Sequence, residues 1–448
     1  MKKLLKVLLL LITIGTVYFY LTLYPKLDIV SGFSAKSVAS HLFIAKRSQK
    51  QTEAEDNDVK SIRLAKNKIH LKEKSVTSSA LGLKKRKAVY KEGLGVILLP
   101  HGKENEAITI PTPNRNFKLS EKPFPYGDAK QKDTVFGNID YKKLEKTVLN
   151  AFDKKGESKK RTRAVLVIYK DQIIAEHYKN GFDKNSVLLG WSMTKSITSA
   201  VIGLLEKQGK VRLNQTHLFK EWEKDNRKNI SLKNLLNMNS GLAWDESYDK
   251  ISDVTKMLFL AEDMPSVQLH KKLVGKPNES WNYSSGTTNL LSAFIKKQFK
   301  TEQEYLDFWY RELIDKIGMH SMIIEPDFKG NLVGSSYGWA TARDWAKFGL
   351  LYLHNGNWNG EQILNKSWVD FTKEPTNTSN GRYGGHFWLN AGGIYPDVPR
   401  DLFSCNGYQG QRVFIIPSKN LVVVKFGLVE GKNFDVNSFL REIVESIK

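Results

Sequence analysis

The chain has 448 residues, 41% of them hydrophobic and 11% aromatic, which excludes global disorder and leaves room for two or three domains. Its formal charge is +22, yet the lysines are spread along the chain and mixed with acids, with no zinc-finger spacing, Walker loop or RNA-binding aromatic motif. Nucleic-acid binding is therefore not expected, and the single cysteine, Cys405, excludes an intramolecular disulfide.

In chain order, Lys2, Lys3 and Lys6 precede an uncharged run from Val7 to Tyr24, about the length needed to cross a bilayer. Basic residues ahead of such a run favour a cytoplasmic N-terminus and export of the remainder. The run ends at Pro25 with no Ala-x-Ala cleavage site nearby. Residues 4–24 are therefore read as an anchor in the inner membrane, with the rest in the cell envelope or periplasm. The expected division is a membrane anchor or signal segment over 1–25, an N-terminal extension over 26–137 and a compact domain over 138–448.

Within the extension, Ser37 to Ile44 predicts a short helix and the polar stretch Gln49 to Lys60 an exposed loop. Ala88–Tyr90 and Gly95–Leu99 predict short strands, and residues 101–136 an extended segment lying over another domain. Asp140 is a good N-cap for a helix with Leu144, Val148, Leu149 and Phe152 on one face. Ala164–Tyr169 and Ile173–Tyr178 predict a hairpin around Lys170-Asp171-Gln172. From Leu218 to Phe371 the pattern is mostly helical. Strands return at Val413–Ile416 and Leu421–Phe426, and Ser438–Ile447 closes the chain as an amphipathic helix. The economical packing is one antiparallel sheet built from both ends, with terminal helices on one face and the helical block on the other, an α+β architecture.

Gly190-Trp191-Ser192-Met193-Thr194-Lys195 sits where sheet and block would meet. Residues three apart share a helix face, so the Lys195 amine can lie beside the Ser192 hydroxyl and take its proton. Ser247-Tyr248-Asp249-Lys250 repeats the spacing but lacks comparable surroundings and reads as a loop coincidence. Tyr283 is the candidate second proton carrier, because a neighbouring ammonium lowers a phenol pKa. An oxyanion hole would use the Ser192 amide at a helix start and a second donor from the Asn406-Gly407-Tyr408 strand edge, where glycine permits close approach. His386 and Trp244 are candidates for the pocket lining, the latter within Trp244-Asp245-Glu246. The histidines show no metal-ligand spacing, so neither metal nor cofactor is expected.

These elements, in this order, resemble the serine β-lactamase-like superfamily, most closely the branch of class C β-lactamase-like esterases and 6-aminohexanoate-dimer hydrolases. The matching text includes Gly190–Ser196, Leu235–Leu242, Tyr283–Thr287, Thr341–Leu353 and Gly407–Pro417. The resemblance implies a β-lactamase/transpeptidase-like fold with Ser192 as acylated nucleophile, Lys195 and Tyr283 as its acid–base pair, and the Ser192 and Tyr408 amides as oxyanion donors. It implies substrate contacts from Ser285, Asn406 and Gly407. Ser285 stands where many relatives carry asparagine, and Cys405-Asn406-Gly407 replaces the usual Lys-Thr-Gly or His-x-Gly. A thiol cannot supply the cation that holds a penicillin carboxylate, which favours a neutral amide or ester substrate, although Arg412 is a possible replacement. Gly32–Phe43 and Tyr90–Val96 also resemble the extension of exported members, some of which carry cysteines where Ala39 and Val96 stand here. A β-lactamase or D-amino-acid peptidase of the same fold, or an inactive envelope-binding member, remain as alternatives. Oligomeric state is left open.

Overall fold

The computed structural model describes residues 1–448 apart from 116, 118, 119, 128, 132, 158 and 430, and the side chain of residue 432. Five of these fall in the predicted extended segment, where the expectation lies outside the described residues at 116, 118, 119, 128 and 132.

The scaffold is a seven-stranded antiparallel sheet in which the Thr162–Tyr169 and Gln172–Tyr178 hairpin pairs with the late strand Leu421–Gly427. Strict alternation along these strands feeds two cores. Leu166, Ile168, Val413, Ile415, Val422 and Val424 pack towards the helical block. Val165, Val167, Phe414, Ile416, Leu421 and Val423 pack under the first and last helices of the body, Tyr141–Asn150 and Val436–Glu445. The Asp140 carboxylate caps the first of these helices, accepting from the Lys143 amide at 3.0 Å. Leu149 departs from expectation. It is 41% exposed, because the face that reaches the sheet is narrower than the apolar pattern. Strands at Tyr383–Gly384, Phe387–Leu389 and Phe403–Gly407 extend the sheet towards the block, too short or too polar to show alternation.

The N-terminal part differs more from its reading. The predicted helix at 37–44 is the end of one continuous helical run, Lys2–Phe43. Its first section, Lys2–Tyr18, buries none of its side chains, and the helix as a whole is long and apolar enough to cross a bilayer. A π-turn at Phe19–Leu23 precedes Pro25, which lacks the N–H that a regular ladder requires. Beyond Tyr24 the helix packs on a four-stranded antiparallel sheet, of which Ala65–His70 and Ser75–Ala80 were not legible as strands. Ala39 and Val96 are both fully buried in the cluster between that helix and sheet.

The stretch from Gln49 to Lys60 is not an exposed loop. A capping box between Ser48 and Gln51 starts a helix over Gln49–Ala54, and Asp56 and Asn57 are buried. Asp56 meets His41 at 3.0 Å and Arg163 at 2.7 Å. Burial alone would raise its carboxyl, but its contacts with His41 and Arg163 hold it well below the usual carboxylate range. Lys36 similarly meets the buried Glu325 at 2.6 Å, and Arg86 donates to the Phe259 carbonyl at 2.6 Å. These bonds tie the extension to the body. The stretch after residue 101 does run over the body: Arg115 pairs with Asp315, and Tyr126 donates to Asp171 at 3.0 Å.

Leu440, fully buried on the outer face of the sheet, tests the two-core arrangement. Leu440→Ala should lower the unfolding free energy by about 2–5 kcal/mol, read as an earlier urea midpoint of the detergent-solubilised chain. An unchanged midpoint would show that this face contributes little.

Candidate active site

Ser192 lies in the tight turn Trp191–Met193 that opens the helix Thr194–Lys207. Trp191 holds φ +47°, an unusual value for a bulky residue, and the turn is pinned by the Gly190 amide donating to the Gly338 carbonyl at 2.8 Å. A Cβ at Gly190 would meet the Trp345 ring at 2.4 Å, and one at Gly407 would lie 2.0 Å from the Gly190 carbonyl oxygen. Glycine at 407 lets the strand end Asn406-Gly407-Tyr408 close on the Ser192 turn, and glycine at 190 lets the Trp345 ring pack beneath that turn.

Lys195 is 1% exposed. Its Nζ lies 3.1 Å from Ser192 Oγ, 2.9 Å from Ser285 Oγ and 2.9 Å from the Ser335 carbonyl oxygen. Burial pushes its pKa down to about 8, opposed by the negative charge of Glu246. Tyr283 is beside it: Nζ sits 4.8 Å from the ring centroid, and the ring packs between Trp281, Tyr383 and Trp388. A cleft of about 490 Å³ opens over Ser192, lined by Tyr283, Asn406, Gly407, Tyr408 and Trp388 among others.

Three expected pocket residues lie elsewhere. Ser285 is fully buried at the start of the helix Ser285–Lys296, where it accepts from Lys195 and donates to Glu246 Oε1 at 2.5 Å. His386 is 2% exposed, with Nδ1 2.7 Å from the Leu236 carbonyl and Nε2 3.0 Å from Thr288 Oγ1. Burial pushes its pKa to about 3, so it is a neutral structural group. Trp244 packs on Gly286, where a Cβ would meet its ring at 2.5 Å, and donates its indole N–H to Glu246. All three are drawn inward by the helix start that carries Ser285.

Comparison with known proteins places this geometry. Residues 149–437 match the family described as Beta-lactamase. The chain belongs to the β-lactamase family. Its structure is similar to that of a candidate 6-aminohexanoate-dimer hydrolase from Bacillus anthracis, at 22% identity over 64% of this chain and 79% of that one (TM-score 0.55). It is also similar to a candidate β-lactamase from Bacteroides dorei, at 16% identity over 69% of this chain and 99% of that one (TM-score 0.55). An uncharacterized protein, BpOF4_21049 of Alkalihalophilus pseudofirmus, is 26% identical over 36% of this chain and 57% of its own length. The chain thus matches little more than half of that relative. It has the mixed, antiparallel β-lactamase/transpeptidase-like fold, in a family of serine hydrolases.

Cys405 is fully buried and faces the helical block, its thiol pushed up to about 12 by burial. Among the described residues lining the cleft, Arg412 carries the charge. It is paired across the strands with Asn406, and its Nη1 donates to the Gly407 and Gln411 carbonyls at 2.8 and 2.9 Å.

Glu246 and Tyr248 were missed as centres of the site. Glu246 also accepts from the Ser285 amide at 2.9 Å and from the Tyr248 hydroxyl at 3.0 Å. It thereby sits at a helix N-terminus, which favours an anion. The signal was the carboxylate in Trp244-Asp245-Glu246. The spare Ser-x-x-Lys match is indeed a loop, with Ser247 and Lys250 both bound to Asp245 at 2.6 and 2.9 Å.

Two outcomes follow from this electrostatic arrangement. Glu246 raises the Lys195 pKa, so Glu246→Gln should move it below its present value of about 8. The acidic limb of fluorophosphonate inactivation, along which the rate rises as Lys195 loses its proton, should then shift to lower pH, and a limb that stays near 8 would sever the coupling. The Cys405 thiol should resist iodoacetamide in the native chain and react at one equivalent after denaturation, counted by mass spectrometry.

Proposed function

We propose that this protein is an exported, membrane-anchored serine hydrolase that cleaves a small amide or ester through an acyl-enzyme on Ser192. The observation that carries the reading is the buried Lys195 amine 3.1 Å from Ser192 Oγ. At a pKa of about 8 a useful fraction is neutral near pH 7–8, and a neutral amine can accept the serine proton as Oγ bonds to the substrate carbonyl carbon. The negative charge moves to the carbonyl oxygen, where the Ser192 and Tyr408 amides would receive it. As the C–N or C–O bond breaks, Tyr283 delivers a proton to the departing amine or alcohol, replenished from Lys195. Water, deprotonated by the same pair, then attacks the acyl carbon and releases Ser192.

Asn406 and Gly407 would form the wall along which the substrate lies. The neutral Cys405 favours a substrate without a carboxylate at that position. Arg412, at the cleft wall, supports a second reading in which an acidic group binds further out, as a β-lactam or D-amino-acid peptide would offer. The N-terminal helix supports an anchor at residues 4–24, and the family match over residues 149–437 supports a hydrolase domain at 138–448 that follows an extension at 26–137.

A fluorophosphonate probe should label the wild type but not Ser192→Ala, and Lys195→Ala should reduce p-nitrophenyl ester turnover by about 10²–10⁴-fold. Absence of labelling by several serine-directed probes would overturn the reading. Comparison with nitrocefin and linear ω-amino-acid amides sets the substrate class, and rapid nitrocefin turnover would replace the neutral-substrate reading by the second one.

A further inference from the structure

A second cavity lies on the other side of the candidate site's wall. It has a volume of about 120 Å³, lies between the Tyr24–Phe43 helix and the body, and is partly open to solvent. Its lining is largely apolar and includes Ile29, Phe33, Val59, Ile62, Ile251 and Phe259. An engineered apolar cavity of about 150 Å³ stays dry and takes up benzene, so a space of this order suits a hydrocarbon segment. Unfilled, it forfeits packing contacts and costs stability.

Two placements point to the occupant. Tyr248 and Tyr408 line both this cavity and the Ser192 cleft, their rings stacked with centroids 5.1 Å apart at 23°. The two spaces therefore share Tyr248 and Tyr408 as a common wall. The cavity also begins at Lys26, two residues beyond the apolar run that ends at Tyr24, and continues along the same helix to Phe33. At about 1.5 Å per residue, its far end lies roughly 14 Å from the end of that run. A chain leaving the outer face of a bilayer would thus meet this opening first.

We propose that the cavity binds the alkyl chain of a membrane-derived amphiphile whose ester or amide group lies in the Ser192 cleft. This rests on the anchored-hydrolase reading and names its substrate class. The hydrocarbon chain enters between the helix and the Val59–Ile62 segment, and the carbonyl reaches Ser192 past the Tyr248–Tyr408 pair. Val59, 37% exposed at the mouth, can be enlarged without disturbing the core.

The test uses the full chain in lipid nanodiscs with p-nitrophenyl acetate and octanoate. Burying two or more methylenes should favour octanoate by about tenfold or more in kcat/KM. Val59→Trp should remove that preference while acetate turnover stays within about twofold, and Phe33→Ala should extend it to longer esters. Independently of turnover, Ser192→Ala should bind 11-(dansylamino)undecanoic acid, and Val59→Trp in that background should lose it. Equal kcat/KM for both esters, or undiminished probe binding with the cavity filled, would overturn the proposal. So would a Val59→Trp effect confined to self-association in sedimentation, which would make the occupant a second copy. Failure of the hydrolase reading is distinguishable, because acetate turnover and fluorophosphonate labelling would then be absent while the probe experiment still reports on the cavity.

Discussion

A lysine amine taken out of water is the constraint around which the site is arranged. Lys195 has given up its hydration shell, and three oxygens, from Ser192, Ser285 and the Ser335 backbone, replace it. Burying an ammonium is costly unless it is paired, and the pairing here is indirect. The Glu246 carboxylate reaches Lys195 through the Ser285 hydroxyl, itself donated to Glu246 at 2.5 Å. An intervening hydroxyl leaves the amine less firmly protonated than a direct ion pair would. A hydroxyl at residue 285 accepts from the amine while donating to the carboxylate, which spans the gap with one atom.

The same economy holds in the backbone. The Gly407 strand end approaches the Ser192 turn so closely that Gly407 tolerates no Cβ, and Gly190 on the other side of the contact is closed in by the Trp345 ring. Trp191 accepts a left-handed conformation, of order 1–3 kcal/mol in cost, and its ring is held edge-on against Tyr408. Packing from the strand side thus stabilises a strained turn on the helix side. Sheet and block hold each other in register at the point where Ser192 is presented.

Continuous β-branched runs made Thr162–Tyr169 and the last two strands legible, because each is buried on both faces, and the edge strand Gln172–Tyr178 was legible from the short turn that joins it to the first of them. The Ser192–Lys195 spacing was legible too, since a helix face is a local property. Other features depend on distant partners. Ser285 and His386 read as pocket residues by position, yet the first is consumed by Lys195 and Glu246 and the second by Leu236 and Thr288. Glu246 looked like one acid among many until the Ser285 helix supplied its amide. The Gln49–Lys60 stretch looked solvated because its charges gave no apolar period, but Asp56 is buried against His41 and Arg163 from elsewhere in the chain. Charge complementarity between remote segments leaves no periodic trace.

The run from Lys2 to Phe43 is one helix, and its later half is packed into the body rather than leading to it through a tether. A globule held on a flexible leash samples a hemisphere of solvent; one held on its own structural helix keeps a constant height and tilt. With the apolar half in a bilayer, the cleft would sweep a single plane parallel to the surface. Its encounters would then be set by lateral diffusion and area density.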